Sequence, residues 1–218
     1  MVCNATRHMR PYLALVPFVV ACTSSAGAPD TSYASVRDRL EAAPTRLFAA
    51  AQPSAGSIDA RRWTHDGWQD GTTAVSVTNG EVVATADANG ALTLTKLAIS
   101  LDPVAIPEVV FGKPAQLTDV RFTLAAATTA PATWTGADDA TATLTVKMDL
   151  DWTLSIDNSK SPLGTQHLPP IPVDVTLTGG GDHVDATLAV HATGELWSWA
   201  GLLELTQLEL QLDAATVD

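Results

Sequence analysis

From Leu144 to Ile156 apolar and polar residues alternate without a break. Leu144, Val146, Met148, Leu150, Trp152, Leu154 and Ile156 hold one phase, and Thr145, Lys147, Asp149, Asp151, Thr153 and Ser155 the other. A period of two separates these sets across the faces of a strand, whereas a helix would mix them. The same alternation returns at Ile171–Val173–Val175–Leu177, at Val184–Ala186–Leu188–Val190 and at Leu208–Leu210–Leu212. Asn79-Gly80 and Asn89-Gly90 carry the residues of tight hairpin turns. They predict a meander of Thr72–Thr78, Glu81–Asp87 and Ala91–Leu101. Two phase changes, near Lys96 and between Leu205 and Leu208, predict β-bulges.

Upstream the pattern differs. Tyr33, Val36, Leu40 and Leu47 give helical spacing, with Asp30, Thr31 or Ser32 as cap and Pro44 as a break or kink, so one helix is expected over about 32–51. Gln52 to Gly71 reads as irregular, interrupted by Pro53, Gly56, Gly67 and Gly71, with Trp63 and Trp68 as aromatic plugs. From Thr72 onward everything reads as β-structure. Extended as one strand, Leu144–Ile156 would reach about 40 Å at roughly 3.3 Å per residue, twice the usual length. Long strands with one apolar face must curl. The expected fold is mainly β: a large curved antiparallel sheet of long strands, as half-barrel, barrel or sandwich, with one N-terminal helix.

The N-terminus carries a different signal. Arg7, His8 and Arg10 precede an apolar run from Pro11 to Val20, which is shorter than the roughly 20 residues a membrane span needs. The run closes on Val19-Val20-Ala21-Cys22, which resembles the lipobox of bacterial lipoprotein precursors. The resemblance implies a signal peptide over 1–21, acylation of Cys22, and membrane attachment through those acyl chains. Thr23 stands where that family places Asp for inner-membrane retention, which leans the location toward the outer membrane. An ordinary export signal cleaved near Ala26 or Ala28 is the other reading. Residues 22–31, rich in Ser, Ala, Gly and Pro, read as a tether, and 32–218 as a single β-rich domain. Cys3 and Cys22 are the two cysteines, so a chain cut before Cys22 holds one thiol and no internal disulfide.

Charge narrows the partners. The chain carries 24 acidic and 12 basic residues, a formal −12. Loss of 1–21 removes only Arg7 and Arg10, which leaves 10 basic residues and −14. No Lys or Arg follows Lys160. Nucleic acid is excluded as an expected partner, because phosphate binding needs clustered cations. An outer-membrane barrel is disfavoured too, since its aromatic girdles need more than 2 Tyr and 4 Phe.

No catalytic constellation emerges: no Gly-x-Ser-x-Gly elbow, no His-Glu-x-x-His, and no cofactor or metal motif. Gly179-Gly180-Gly181-Asp182 lies between strand patterns and reads as a turn. His183 and His191 share a phase but lie about 26 Å apart along a strand. Asp149, Asp151 and Asp157 could offer oxygens to calcium but read as solvated surface, and His65-Asp66, beside Trp63 and Trp68, could line a pocket mouth but reads as a loop histidine with its partner.

Segments such as Leu92-Thr93-Leu94-Thr95-Lys96-Leu97 and Leu117-Thr118-Asp119-Val120-Arg121-Phe122 resemble, in pattern, the tubular lipid-binding superfamily and the half-barrel lipoprotein carriers of bacterial envelopes. The resemblance spans about Thr72 to Leu212. It implies an apolar concave face at Met148, Leu150, Trp152, Leu188 and Val190 that would contact lipid or another apolar ligand. Those residues serve equally as the core of a filled sandwich. The expected function is a lipid-anchored envelope protein without catalytic activity, a structural or interaction module; the alternative is binding or transport of lipid in a cavity of the sheet.

Overall fold

The computed structural model describes residues 34–49, 54–180, 182–199 and 203–216. The signal segment, Cys22 and the tether to residue 31 lie outside them. Ser32–Asp218 forms one compact unit.

Helix α1 (Val36–Ala42) comes first, with Ser35 Oγ accepting the Asp38 N–H at 3.1 Å. Val36 and Leu40, about one turn apart, are its buried residues. The helix is shorter than the expected 32–51, and its cap is Ser35. Proline is the cause, because it drives the preceding residue out of the helical region. Ala43 is extended at φ −160° and ψ 157°. Beyond Pro44 the chain runs as strand β1 (Thr45–Ala49), which buries Leu47, so no second helical stretch exists there.

From Ala55 onward the stretch expected to be irregular is also β-structure. β2 (Ala55–Thr64) and β3 (Gly67–Ala86) pair as a hairpin, in register from Ala55↔Ser76 to Thr64↔Gly67. Trp63 and Trp68 are no plugs: they face each other across this pair, ring centroids 5.3 Å apart, and stand 56% and 42% exposed. β3, 20 residues long, runs straight through Asn79-Gly80, where a turn was expected. Gly80 pairs with Ala49 of β1 on one side and Ile99 on the other, and a Cβ at Gly80 would stand 2.6 Å from that of Ala49. Glycine is thus kept for close approach of β1, and hydrogen bonding on both edges overrides the dipeptide's turn preference. Asn89-Gly90 does turn the chain, into β4 (Leu92–Leu101).

Next come β5 (Val104–Ile106), the one-turn helix α2 (Glu108–Phe111), β6 (Ala115–Leu124), β7 (Thr128–Ala130) and β8 (Thr133–Thr135). β9 (Asp139–Val146) and β10 (Met148–Ile156) follow, then β11 (Ser159–His167), β12 (Ile171–Gly180), β13 (His183–Trp199) and β14 (Leu203–Ala215). Among the described residues these strands form one 14-stranded antiparallel sheet in the order β11-β10-β6-β4-β3-β1-β14-β13-β12-β9-β8. β2 also lies between β3 and β14, while β5 and β7 add to β6 and β4.

The long alternating run is therefore two strands. It breaks at Lys147, which passes the chain from β9, near one end of the sheet, to β10, near the other. Because a single residue links them, the sheet curls until its two ends meet there. The backbone is tied at the junction by Ala125 N–H to Lys147 O at 2.9 Å and Leu168 N–H to Met148 O at 2.8 Å. Both expected bulges are present: Thr95 is the extra residue of β4 against β3, and Thr206 that of β14 against β2.

Curling turns one apolar face inward all round. Alternate residues of β4, β6, β9, β10, β12, β13 and β14 join Val36 and Leu40 of α1 in one continuous hydrophobic cluster. The polar phases face solvent, and β11, an edge strand carrying Pro162, is mostly exposed.

Candidate functional site

The residues proposed for ligand contact fall in this core. Met148, Leu150, Trp152, Leu188 and Val190 are 1, 0, 3, 0 and 1% exposed. Five clefts on the described residues are lined by other side chains. Cys22, the expected lipidation site, lies outside the described residues.

The polar candidates stay apart. His65 and Asp66 form an exposed pair at the β2–β3 turn, 2.8 Å between Nδ1 and Oδ1. Asp149 meets His167 Nδ1 at 2.6 Å and Asp151 accepts from Thr165 Oγ1 at 2.5 Å, each using a cross-strand neighbour on β11. Asp157 sits in the β10–β11 turn and pairs with Lys113 Nζ at 2.7 Å. His183 and His191 both lie on β13. Gly180 pairs with His183 across the turn that the glycine run predicted. Among the described residues no group of three or more His, Cys, Asp or Glu side chains could hold a metal ion, and no helix is long and apolar enough to cross a membrane.

One cleft combines cations with apolar surface. It measures about 480 Å³ and is lined by Arg62, Phe111, Lys113, Leu154, Ile156, Asp157, Ser159 and Ser161. Each comes from an element whose sequence explains its placement. Ile58 and Ala60 on β2 point into the core, so Arg62 continues the inward phase and sets a guanidinium where the apolar face ends. Its charge lies 4.9 Å from the Phe111 ring centroid, a cation–π contact that holds the side chain over α2. Arg62 Nε is buried and has no hydrogen-bond partner among the described residues. α2 is held in place by Val110, which is buried, and ends at Gly112 with φ 68°.

Leu154 and Ile156 extend the inward phase of β10 beyond Trp152. Asp157 and Asn158, at φ 47° and 64°, form a two-residue turn that returns the chain into β11. Register then sets Ser159 opposite Ile156 and Ser161 opposite Leu154, so both hydroxyls fall on the cleft side of the edge strand. In the sheet order β3, β4 and β6 separate β2 from β10, so only the curl of the sheet brings Arg62 to Leu154.

A neighbouring cleft of about 580 Å³ shares Asp157 but is lined by Ala105, Ile106, Glu108, Pro114, Ala115, Gln116, Ser155 and Asn158. It holds two carboxylates and no cation. The two clefts therefore differ in sign, and the smaller is the one whose cations outnumber its acids. Inspection of the sequence missed Arg62, Phe111, Lys113, Ser159 and Ser161. One signal was available: a charged residue in phase with Ile58 and Ala60 at a strand end.

No family model matches the chain, and no curated protein matches it.

Proposed function

We propose that this chain is a lipid-anchored bacterial envelope protein whose β-domain is a non-catalytic structural or interaction module. The anchor rests on Val19-Val20-Ala21-Cys22 behind a short apolar run. The observation that carries the rest is packing. Met148, Leu150, Trp152, Leu188 and Val190 are buried in one continuous cluster with both halves of the curled sheet, which favours a filled core over an internal lipid cavity. The polar candidates are engaged locally at separate places, Asp149 and Asp151 with β11, Asp157 with Lys113, His65 with Asp66 and His183 with Asp182 and Asp185, and are not gathered at one point. The strongly acidic surface, −14 after loss of residues 1–21, suits solubility beside a membrane and assigns attachment to acyl chains instead of a basic patch.

Fractionation of the full chain expressed in a bacterial host tests this reading. The wild type should sediment with membranes and enter the detergent phase on partitioning, and Cys22→Ala should move to the soluble fraction. Retention of Cys22→Ala in the membrane fraction would overturn the anchor.

A further inference from the structure

We propose that the cleft between β2, α2 and the β10–β11 hairpin binds an anionic amphiphile, its oxyanion head at Arg62 and its apolar chain along Leu154, Ile156 and Phe111. The site lies on the domain surface, so it depends neither on the Cys22 anchor nor on an internal cavity.

Arg62 is the first ground. A buried donor on a charged group is costly when left unbonded, and Arg62 Nε is in that state. The Phe111 ring fixes the guanidinium in place but supplies no acceptor for that N–H. A carboxylate or phosphate supplies one, and the planar guanidinium matches such heads with paired hydrogen bonds.

Charge and shape supply the second ground. Two cations against one carboxylate make the cleft locally positive on a chain of formal charge −12, and Lys113 is already paired with Asp157. The adjoining cleft, with Glu108 and Asp157 and no cation, would repel the same head. Below Arg62 the wall is apolar: Leu154 is buried and Ile156 partly so, and both continue the inward face of β10. At the rim, exposed Ser159 and Ser161 can donate to a head group. A volume of about 480 Å³ falls within the range of small-ligand sites. An uncharged apolar ligand would leave Arg62 unsatisfied, and a small inorganic anion would leave Leu154 and Ile156 without contact.

Titration calorimetry on the full chain carrying Cys22→Ala tests the site, each detergent kept below its micelle concentration. Laurate and dodecyl phosphate should each saturate at one molecule per chain, at least tenfold more tightly than uncharged dodecyl maltoside, as one charge-assisted hydrogen bond implies. Whichever of the two binds more tightly identifies the preferred head. Inorganic phosphate should show no saturable binding. Arg62→Gln should erase the tenfold preference. Ser161→Trp, at an exposed rim position, should block both anionic amphiphiles. Equal affinity for charged and uncharged amphiphiles, unchanged binding by Arg62→Gln, inorganic phosphate binding as tightly as dodecyl phosphate, or no saturable binding by the parent chain would each overturn the proposal.

Discussion

Asp119 on β6 and Gly164 on β11 share a left-handed backbone, φ 56° and 71°, on the two strands that flank Trp152. Each marks an extra residue: opposite the step from Asp151 to Thr153, β6 runs from Arg121 to Thr118 and β11 from Thr165 to Pro162. Two bulges at one level of neighbouring strands deepen the twist there, which is what a sheet curling back on itself requires.

The two residues predict opposite responses to substitution. Nothing lies within 4 Å of a Cβ built on Gly164, so Gly164→Ala tests backbone conformation alone. It should destabilise the fold by about 1 kcal/mol, the usual penalty for a side chain in this region. Asp119→Gly removes that penalty and should stay within about 1 kcal/mol of the parent, on the stable side or neutral. Urea unfolding of both variants checks the pair. Equal stability of Gly164→Ala and the parent would mean that the bulge relaxes.

Alternation is a local property, which is why most strands were legible. Recognising Ile171–Leu177 or Val184–Val190 as strands needs only the residue two positions away. Events that depend on distant chain were not legible. Asn79-Gly80 looks like a turn until β1 is laid against Gly80, and Lys147 looks like any outward residue until the sheet ends are seen to meet there. Met148, Leu150, Trp152, Leu188 and Val190 are buried in one cluster, but whether the face they share is filled depends on what the curl sets opposite. The cleft failed to show for the same reason: Arg62, Phe111 and Leu154 are brought together by the curl alone.

Asp87 predicts an acid-sensitive hairpin. Its Oδ1 accepts the backbone N–H groups of Asn89 and Ala91, each at 2.9 Å, where β3 turns into β4. These bonds, the one to Ala91 foremost, hold its carboxyl below the ordinary 3.8 despite some desolvation. A lowered folded-state value means that the ionised form stabilises the fold above the unfolded value. That contribution fades as pH falls from 3.8 through the lower folded-state value. Asp87→Asn keeps an acceptor oxygen but loses the charge. Its melting temperature should lie below the parent's at neutral pH, and the gap should close as pH drops through this window. A gap that holds constant down to full protonation would show that the charge contributes nothing to the turn.

Leu150 decides between a filled core and a ligand cavity. It lies fully buried on β10, paired in register with Phe122 of β6, which is itself buried. In a filled core, Leu150→Ala removes contacts that nothing replaces, and unfolding should become easier by about 2–5 kcal/mol. Leu188→Ala, buried on β13 in the same cluster, should behave alike. If both residues instead lined a lipid cavity, truncation would enlarge space already open and would weaken stability far less. Native mass spectrometry with organic extraction separates the remaining cases. A lipid that co-purifies with the parent and is lost in Arg62→Gln occupies the surface cleft and leaves the filled core standing. A lipid that persists at near-unit occupancy in Arg62→Gln, together with a small penalty for Leu150→Ala, would place the ligand inside the sheet and replace the interaction-module reading with carriage.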